Sequence, residues 1–143
     1  MKVVILCGVS GSGKSTRCKE VYPDALVVSA DHFFMRSGEY KFDPKRLSDA
    51  HGDCLRQFVR YLCENHGTIV VDNTNTTIAE LAPYAALALA YGADLQIEIL
   101  SCQVKTAAGR NVHGVPEQGI VKQAERLATL KENLPPWWPC KEV

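Results

Sequence analysis

The chain has 143 residues, with 16 acidic and 16 basic residues and therefore no formal net charge at pH 7. This length predicts one domain over residues 1–143, and a hydrophobic content of 46% indicates a folded core rather than disorder. The zero net charge argues against a broad duplex-binding surface but leaves room for a small basic groove. No apolar run approaches the roughly 20 residues of a transmembrane helix, and Met1 leads directly into a strand, so we expect a cytoplasmic protein without membrane contact.

The first part of the chain is predicted to form a strand, a glycine-rich loop, a helix and a second strand. The apolar run 2–7 is typical of a buried parallel strand. The loop 8–16 reads GVSGSGKST, and the helix that follows stops at Pro23. A second buried strand is predicted over 25–31 and ends in an acid, and residues 32–43 are expected to form a loop over the active face.

The remaining chain alternates helices with strands. The predicted elements are a helix from 44 to about 65, a strand over 68–72, a helix from 77 to about 91, a strand over 93–102, a helix over 104–111 and a helix over 117–133. Pro83 indicates either a start one turn later or a kink in its helix. The tail 134–140 cannot be helical, and we expect Trp137 and Trp138 to pack on the body rather than to stack on bases.

The loop 8–16 fits the phosphate-binding pattern G-x-x-x-x-G-K-[ST]. Its glycines let backbone N–H groups approach a triphosphate closely, and a helix that begins near Lys14 adds its dipole at the same point. We expect Lys14 between the β- and γ-phosphates and the Ser15 hydroxyl on the accompanying Mg²⁺. The predicted nucleotide-binding residues are Gly8, Ser10, Gly11, Ser12, Gly13, Lys14, Ser15, Thr16 and Arg110.

This alternation of strands and helices predicts an α/β fold of the P-loop NTPase type. It has three layers, with a parallel sheet of four or five strands, helices on both faces and a small C-terminal lid at about 103–116. Ligands of such sheets lie beyond the carboxyl ends of the strands. The phosphate loop, Asp31 and Asp72 should therefore converge at one edge of the sheet.

Three charged side chains near this edge are candidates for the chemistry. Asp31 is interpreted as a general base toward an attacking hydroxyl, or else as a helix cap or the anchor of a loop. Asp72 is interpreted as a magnesium-side carboxylate, as a group that orients the acceptor, or as a turn former. Arg110, between Gly109 and Gly114, is interpreted as a mobile charge stabiliser or as a solvated surface arginine.

Several motifs in the chain also resemble one family. They are SADHFF after the second strand, G-x-Y-x-FDP at 38–44, Ala50-His51, VVDNTNT at 70–76 and RNVHGVP at 110–116. Together with the phosphate loop they resemble the polynucleotide-kinase-like P-loop kinases. This family includes the kinase domains of phage and animal end-healing enzymes and predicted kinases related to NEDD4-binding proteins.

The resemblance implies transfer of the ATP γ-phosphate to the 5′-hydroxyl of DNA or RNA, with nucleic-acid ends as the partner. It implies that Asp31 is the general base, that Lys14 and Ser15 bind ATP and Mg²⁺, that Asp72 lies near the acceptor and the metal, and that Arg110 is a lid arginine. The catalytic residues are thus Lys14, Asp31 and Arg110, and the metal ligands are Ser15 and Asp72. The predicted substrate-binding residues are Asp31, Arg36, His51, Asp72, Asn75 and His113.

Two positions depart from the pattern of the phage enzymes. Phe34 stands where those enzymes carry an arginine, and Arg36 is the nearby candidate to replace it. His113 stands in the region of their second lid arginine. These departures bear on the acceptor more than on ATP.

Two alternative functions remain open from the sequence. The first is a small-molecule kinase on the same fold, acting on a nucleoside, sugar or metabolite hydroxyl; the second is a nucleotide-binding module without transfer activity. A strand-binding enzyme should contact acceptor phosphates through basic residues that would otherwise form a solvated face. The candidates are Arg36, Lys41, Lys45, Arg46 and His51.

Overall fold

The computed structural model describes residues 1–64 and 67–143, so the helix end predicted at about Asn65 lies outside the described residues. The strands are β1 (Lys2–Cys7), β2 (Leu26–Val28), β3 (Thr68–Asp72), β4 (Asp94–Ile99) and β5 (Cys140–Glu142). The helices are α1 (Lys14–Val21), α2 (Asp31–Phe34), α3 (Leu47–Glu64), α4 (Ile78–Ala90), α5 (Val104–Arg110) and α6 (Glu117–Asn133). A 3₁₀ turn over Pro44–Arg46 leads into α3.

The strands form one parallel sheet in the order β2-β3-β1-β4-β5. β1 is central, and its Leu6 pairs with Asp72 of β3 on one side and with Glu98 of β4 on the other. Because the strands are parallel, their carboxyl ends meet at one edge of the sheet, where ligands of such folds bind. The predicted α/β class and its parallel sheet are confirmed.

The alternation of side chains along β1 separates two apolar layers. One layer joins the sheet to α3, α4 and α6, and it includes Val3, Ile5, Phe58, Leu81 and Leu127. On the other face, Cys18 of α1 packs with Val4 and Leu6. Burial of each large apolar side chain contributes about 1.5–3 kcal/mol. The sheet is therefore fixed between helices on both faces, which gives the three predicted layers.

The second strand is shorter than predicted. It ends at Val28, and Ala30 already has helical dihedral angles (φ −61°, ψ −29°). The Ala30 N–H donates to Asn73 Oδ1 (2.8 Å) and the Asp31 N–H donates to Ser29 Oγ (3.2 Å), so side chains replace the strand ladder here. Asp31 therefore begins α2 instead of closing a strand, and only the later part of the predicted loop 32–43 is irregular.

The start predicted at residue 44 for the helix that includes α3 is confirmed by a capping hydrogen bond and by the position of a proline. The Lys45 N–H donates to Asp43 Oδ1 (3.0 Å), and Pro44 occupies the first turn, where a missing N–H costs nothing. This turn is 3₁₀, and the α-helix proper begins at Leu47.

The fourth helix begins with a capping box formed by Thr77 and Glu80. Thr77 Oγ1 accepts from the Glu80 N–H (3.3 Å), and the Glu80 carboxylate accepts from the Thr77 N–H (3.4 Å). Because α4 begins at Ile78, the interpretation of Pro83 as a later helix start is wrong, and Pro83 lies inside the helix.

The C-terminal tail forms a strand that the sequence did not predict. β5 pairs with β4, and the Ile97 N–H donates to the Pro139 carbonyl (2.8 Å). Trp138 packs on the larger apolar layer as expected, but Trp137 is 74% exposed, so the expectation for Trp137 is wrong. Among the described residues, none of the helices has both the length and the apolar character that a bilayer-crossing segment needs.

Candidate active site

The phosphate loop connects β1 to α1 and is shaped by its glycines. Gly11 and Gly13 have φ angles of 82° and 97°, which a residue with a Cβ adopts only with strain. A Cβ on Gly11 would lie 2.0 Å from the Ala107 carbonyl oxygen of α5. The loop therefore takes its tight path and its close contact with α5 because these positions lack side chains.

Lys14 is the first residue of α1 and is buried in the loop. Its Nζ donates to the carbonyl oxygens of Gly8 and Val9, both at 3.0 Å. Burial lowers the pKa of the Lys14 ammonium, and the nearby carboxylates of Asp72 and Asp31 oppose that shift. The lysine is thus held at the loop by backbone oxygens, with two carboxylates close enough to stabilise its charge.

Ser12 gives a direct test of whether the loop fits a polyphosphate. Its Oγ is buried and has no hydrogen-bond partner among the described residues, and a Cβ on Gly8 would approach it to 2.6 Å. An unsatisfied buried hydroxyl costs about 1–3 kcal/mol, so a ligand that accepts its hydrogen bond is expected to bind there. The loop's geometry fits a phosphate group.

Asp72, at the end of β3, faces the loop. The Ser15 hydroxyl donates to Asp72 Oδ2 at 2.8 Å, which joins the start of α1 to the end of the neighbouring strand. A hydroxyl and a carboxylate in contact are hard oxygen donors of the kind that Mg²⁺ prefers. The pair Ser15 and Asp72 therefore fits the metal role predicted for it.

The turn after Asp72 holds the strands of the site together. The Gly8 N–H donates to the Thr74 carbonyl (2.9 Å), and Asn75 Nδ2 donates to the Leu6 carbonyl (2.8 Å). Asn75 is only 2% exposed and has a positive φ of 46°. We therefore correct the prediction that Asn75 binds substrate: its side chain fixes the end of β1, and Asn73 and Thr74 line the cleft instead.

Asp31 begins α2 and meets two aromatic side chains. The Tyr40 hydroxyl donates to Asp31 Oδ1 at 3.2 Å, and His113 Nε2 lies 3.5 Å from Asp31 Oδ2. The rings of Tyr40 and His113 are in contact, with their centroids 4.4 Å apart and their planes inclined by 40°. The side chain of Asp31 remains 44% exposed, so its carboxylate is oriented by neighbours and still reachable by a ligand.

These residues surround one cleft of about 650 Å³. Its lining includes the loop residues 10–16, the carboxylates Asp31 and Asp72, and Arg110 and His113. The structure thus brings together both carboxylates, the loop lysine and the predicted lid arginine.

Arg36 and His51 lie elsewhere. The Arg36 guanidinium pairs with Asp53 of α3 and stacks over the Phe33 ring at 4.8 Å. His51 is exposed on α3, and the described residues that line the cleft include neither Arg36 nor His51. Their predicted contacts with a substrate therefore have no support from their placement, and Arg36 does not stand in for an arginine at position 34.

The segment predicted as a lid packs on the phosphate loop through α5 and α6. Gln123 Oε1 accepts from the Ser10 N–H (2.8 Å), and Gln123 Nε2 donates to Ser10 Oγ (3.2 Å). Asn111 Oδ1 accepts from the His113 N–H (3.1 Å), which shapes the turn that carries His113 to Asp31. No periodic pattern in the sequence marks Gln123 as a contact of the phosphate loop.

A buried carboxylate supports α1 from the other side. Glu98 of β4 is fully buried and accepts hydrogen bonds from Arg17 Nε (2.6 Å) and Tyr22 Oη (2.6 Å), and it pairs with Lys141 of β5 (3.1 Å). Burial alone would raise the pKa of Glu98, but hydrogen bonds from these three residues outweigh it and lower the pKa to about 2. The phosphate-loop helix is thus tied to the last two strands.

Comparison with known proteins gives relatives that cover most of the chain. Human NEDD4-binding protein 2 is 31% identical over 134 residues, which is 86% of this chain but only 7% of that protein. The structure of the Pnkp1/Rnl/Hen1 RNA repair complex contains a chain that superposes with a TM-score of 0.77 at 20% identity, over 94% of this chain and 46% of that one. A gluconokinase from Sinorhizobium meliloti 1021 superposes with a TM-score of 0.60 at 17% identity, over 99% and 81% of the two chains.

The structural neighbours establish the fold, and they include a chain of an RNA repair complex as well as a gluconokinase. This chain corresponds to a small part of the NEDD4-binding protein, so the similarity concerns one segment of that protein. The family pattern described as "AAA domain" matches residues 3–135, which include the phosphate loop, Asp31, Asp72 and the segment of Arg110. This chain therefore belongs to the AAA_33 family of P-loop kinase domains.

Proposed function

We propose that this chain transfers the γ-phosphate of ATP to the 5′-hydroxyl end of DNA or RNA. The observation that carries the proposal is the placement of Asp31 in the same cleft as Lys14, Ser15 and Asp72, with its carboxylate still exposed. A nucleotide holder has no need of an oriented, accessible carboxylate at this place, whereas a kinase needs one to receive the proton of the acceptor.

In the proposed reaction the oxygen of the acceptor hydroxyl bonds to the γ-phosphorus, and the bond from that phosphorus to the bridging oxygen of ADP breaks. Asp31 receives the proton that leaves the acceptor hydroxyl. Lys14 and Arg110 both line the cleft and would provide positive charge where negative charge develops on the transferred group. Arg110 ends α5, is exposed and already lines the cleft, so it can face the phosphates from the segment 103–116 that we propose as the lid.

Ser15 and Asp72 would hold Mg²⁺, which in such sites neutralises phosphate charge. Their contact in the structure shows that both oxygens already point to one place. The unsatisfied Ser12 hydroxyl and the amides of the glycine loop would contact the phosphates of ATP.

The polynucleotide acceptor is supported by the motifs at 70–76 and 110–116, which resemble those of the polynucleotide-kinase-like family. The similarity to a chain from an RNA repair complex is consistent with a role at nucleic-acid ends. These observations concern the acceptor only. The proposed binding site for ATP, the phosphate donor, rests on the geometry of the phosphate loop and of Ser15 and Asp72.

A small-molecule acceptor is the second candidate, and one observation favours it. Among the described residues of the cleft, the cationic side chains are Lys14, Arg17 and Arg110, and Arg36 is held away by Asp53. An acceptor strand would bring its own phosphates and benefit from a cation beside Asp31. A sugar hydroxyl would not need one.

The test is incubation with γ-labelled ATP and separate acceptors: 5′-hydroxyl DNA and RNA oligonucleotides, a nucleoside and gluconate. The same oligonucleotides carrying a 5′-phosphate are the matched control. We expect label only on the 5′-hydroxyl oligonucleotides. Label on gluconate or the nucleoside, with none on the oligonucleotides, would replace the first proposal with the second.

A further inference from the structure

The loop between α2 and α3 brings one aromatic residue to the proposed base. Tyr40 lies six residues after the end of α2, and its ring packs edge-on against Phe34 with centroids 6.3 Å apart. Phe34 is buried and also contacts Phe42 (5.1 Å between centroids). The apolar residue that stands in the place of the family's arginine thus supports Tyr40.

Tyr40 is built to act as a donor. Burial, the charge of Asp31 and the hydrogen bond to Asp31 raise the pKa of Tyr40 to about 12. The phenol therefore stays protonated across the ordinary pH range, and its O–H donates a hydrogen bond to Asp31 Oδ1.

The same ring positions a residue of the opposite wall. The His113 ring packs at a tilt against Tyr40, and its Nε2 lies 3.5 Å from the second oxygen of Asp31. The other charged side chains that line the cleft with Asp31 are Lys14, Arg17, Glu20, Asp72 and Arg110. Tyr40 thus contacts both the Asp31 carboxylate and the segment predicted as a lid.

We propose that Tyr40 is a positioning residue for the reaction, because its hydroxyl orients the Asp31 carboxylate and its ring seats His113 beside the acceptor hydroxyl. This inference rests on the proposed role of Asp31 as the base, but it does not depend on which hydroxyl is phosphorylated. The residue that orients Asp31 is thus a tyrosine of the loop between α2 and α3. The cationic side chains of that loop are not among the described residues that line the cleft.

The test compares Tyr40→Phe, which removes the hydroxyl and keeps the ring, with Tyr40→Leu, which removes both. We expect Tyr40→Phe to lower kcat about tenfold, the size expected for the loss of one hydrogen bond to a charged group, with the KM for ATP unchanged. Tyr40→Leu should lower kcat further and also raise the KM for the acceptor, because His113 loses its support. Tyr91→Phe, at the exposed end of α4, is the matched control and should leave both constants unchanged.

A double-mutant cycle separates positioning from folding. In an Asp31→Asn background, Tyr40→Phe should have no further effect on the residual rate, whereas a general structural defect would add to it. Melting temperatures and ATP affinities measured on the same variants identify any that fail to fold.

The outcomes distinguish this inference from the proposed function. If oligonucleotides are phosphorylated and Tyr40→Phe keeps the wild-type kcat, the inference is wrong and the function stands. If only a sugar or nucleoside is phosphorylated, the proposed acceptor is wrong and Tyr40 is judged by its effect on that substrate. If no hydroxyl is phosphorylated, both are wrong.

Discussion

The Ser15 hydroxyl donates a 2.8 Å hydrogen bond to Asp72 Oδ2 and so joins the phosphate loop to the end of β3. Replacement of Asp72 by asparagine keeps the size of this side chain and removes its charge. We expect the Mg²⁺ concentration for half-maximal activity to rise about 10- to 100-fold, as for other groups that orient a metal. Phosphate transfer measured over a range of Mg²⁺ concentrations tests this.

The control for Asp72→Asn is Asp94→Asn, at the exposed start of β4 at the opposite end of the sheet. It should leave the Mg²⁺ dependence unchanged. An Asp72→Asn variant with wild-type Mg²⁺ dependence would remove Asp72 from the metal site and leave it as a turn former.

Asp31→Ala tests whether the cleft is catalytic at all. We expect phosphate transfer to fall at least about 100-fold, the lower bound for the loss of a general base, while ATP affinity stays within about twofold. Asp24→Ala, in the exposed loop before β2, is the control. Equal loss of transfer and of ATP binding would instead indicate a structural Asp31 and would favour the nucleotide-binding module.

The parts of the fold that follow from local patterns were predictable. β1, β3 and α6 have the predicted bounds because runs of apolar residues, glycine and proline mark their ends. β5 was missed because three exposed residues, Cys140–Glu142, carry no apolar pattern and gain their structure from pairing with β4.

In the site, the phosphate loop could be predicted because its motif fixes backbone geometry and chemistry together. Arg36 and Asn75 could not be placed, since an ion pair with Asp53 and a backbone contact with Leu6 decide their positions. Sequence spacing does not reveal such long-range contacts. Tyr40 was part of a quoted motif, but only the structure shows its hydroxyl on Asp31.

Gly11→Ala is expected to destabilise the protein more than an ordinary glycine substitution. Both Gly11 and Gly92 have positive φ angles, so alanine at either position costs about 1–2 kcal/mol of backbone strain. Only at Gly11 would the new Cβ also meet backbone, 2.0 Å from the Ala107 oxygen, while the space at Gly92 is open. Chemical denaturation should show a loss for Gly11→Ala that exceeds that of Gly92→Ala. Equal losses would mean that α5 shifts freely away from the loop.

Glu98 is expected to make stability depend on acidity. Its pKa is about 2 in the folded protein, against an ordinary value of 4.5, because hydrogen bonds from Arg17, Tyr22 and Lys141 outweigh its burial. A lowered pKa stabilises the fold above pH 4.5, by roughly 2–3 kcal/mol, and this contribution disappears as the pH falls toward 2. Glu98→Gln should therefore reduce the free energy of unfolding at pH 7, and its deficit should be smaller at pH 3. The control is Glu132→Gln, at an exposed position, which should match the wild type at both pH values. A Glu98→Gln deficit that stays constant from pH 7 to pH 3 would show that packing, and not the charge of the carboxylate, joins α1 to the last strands.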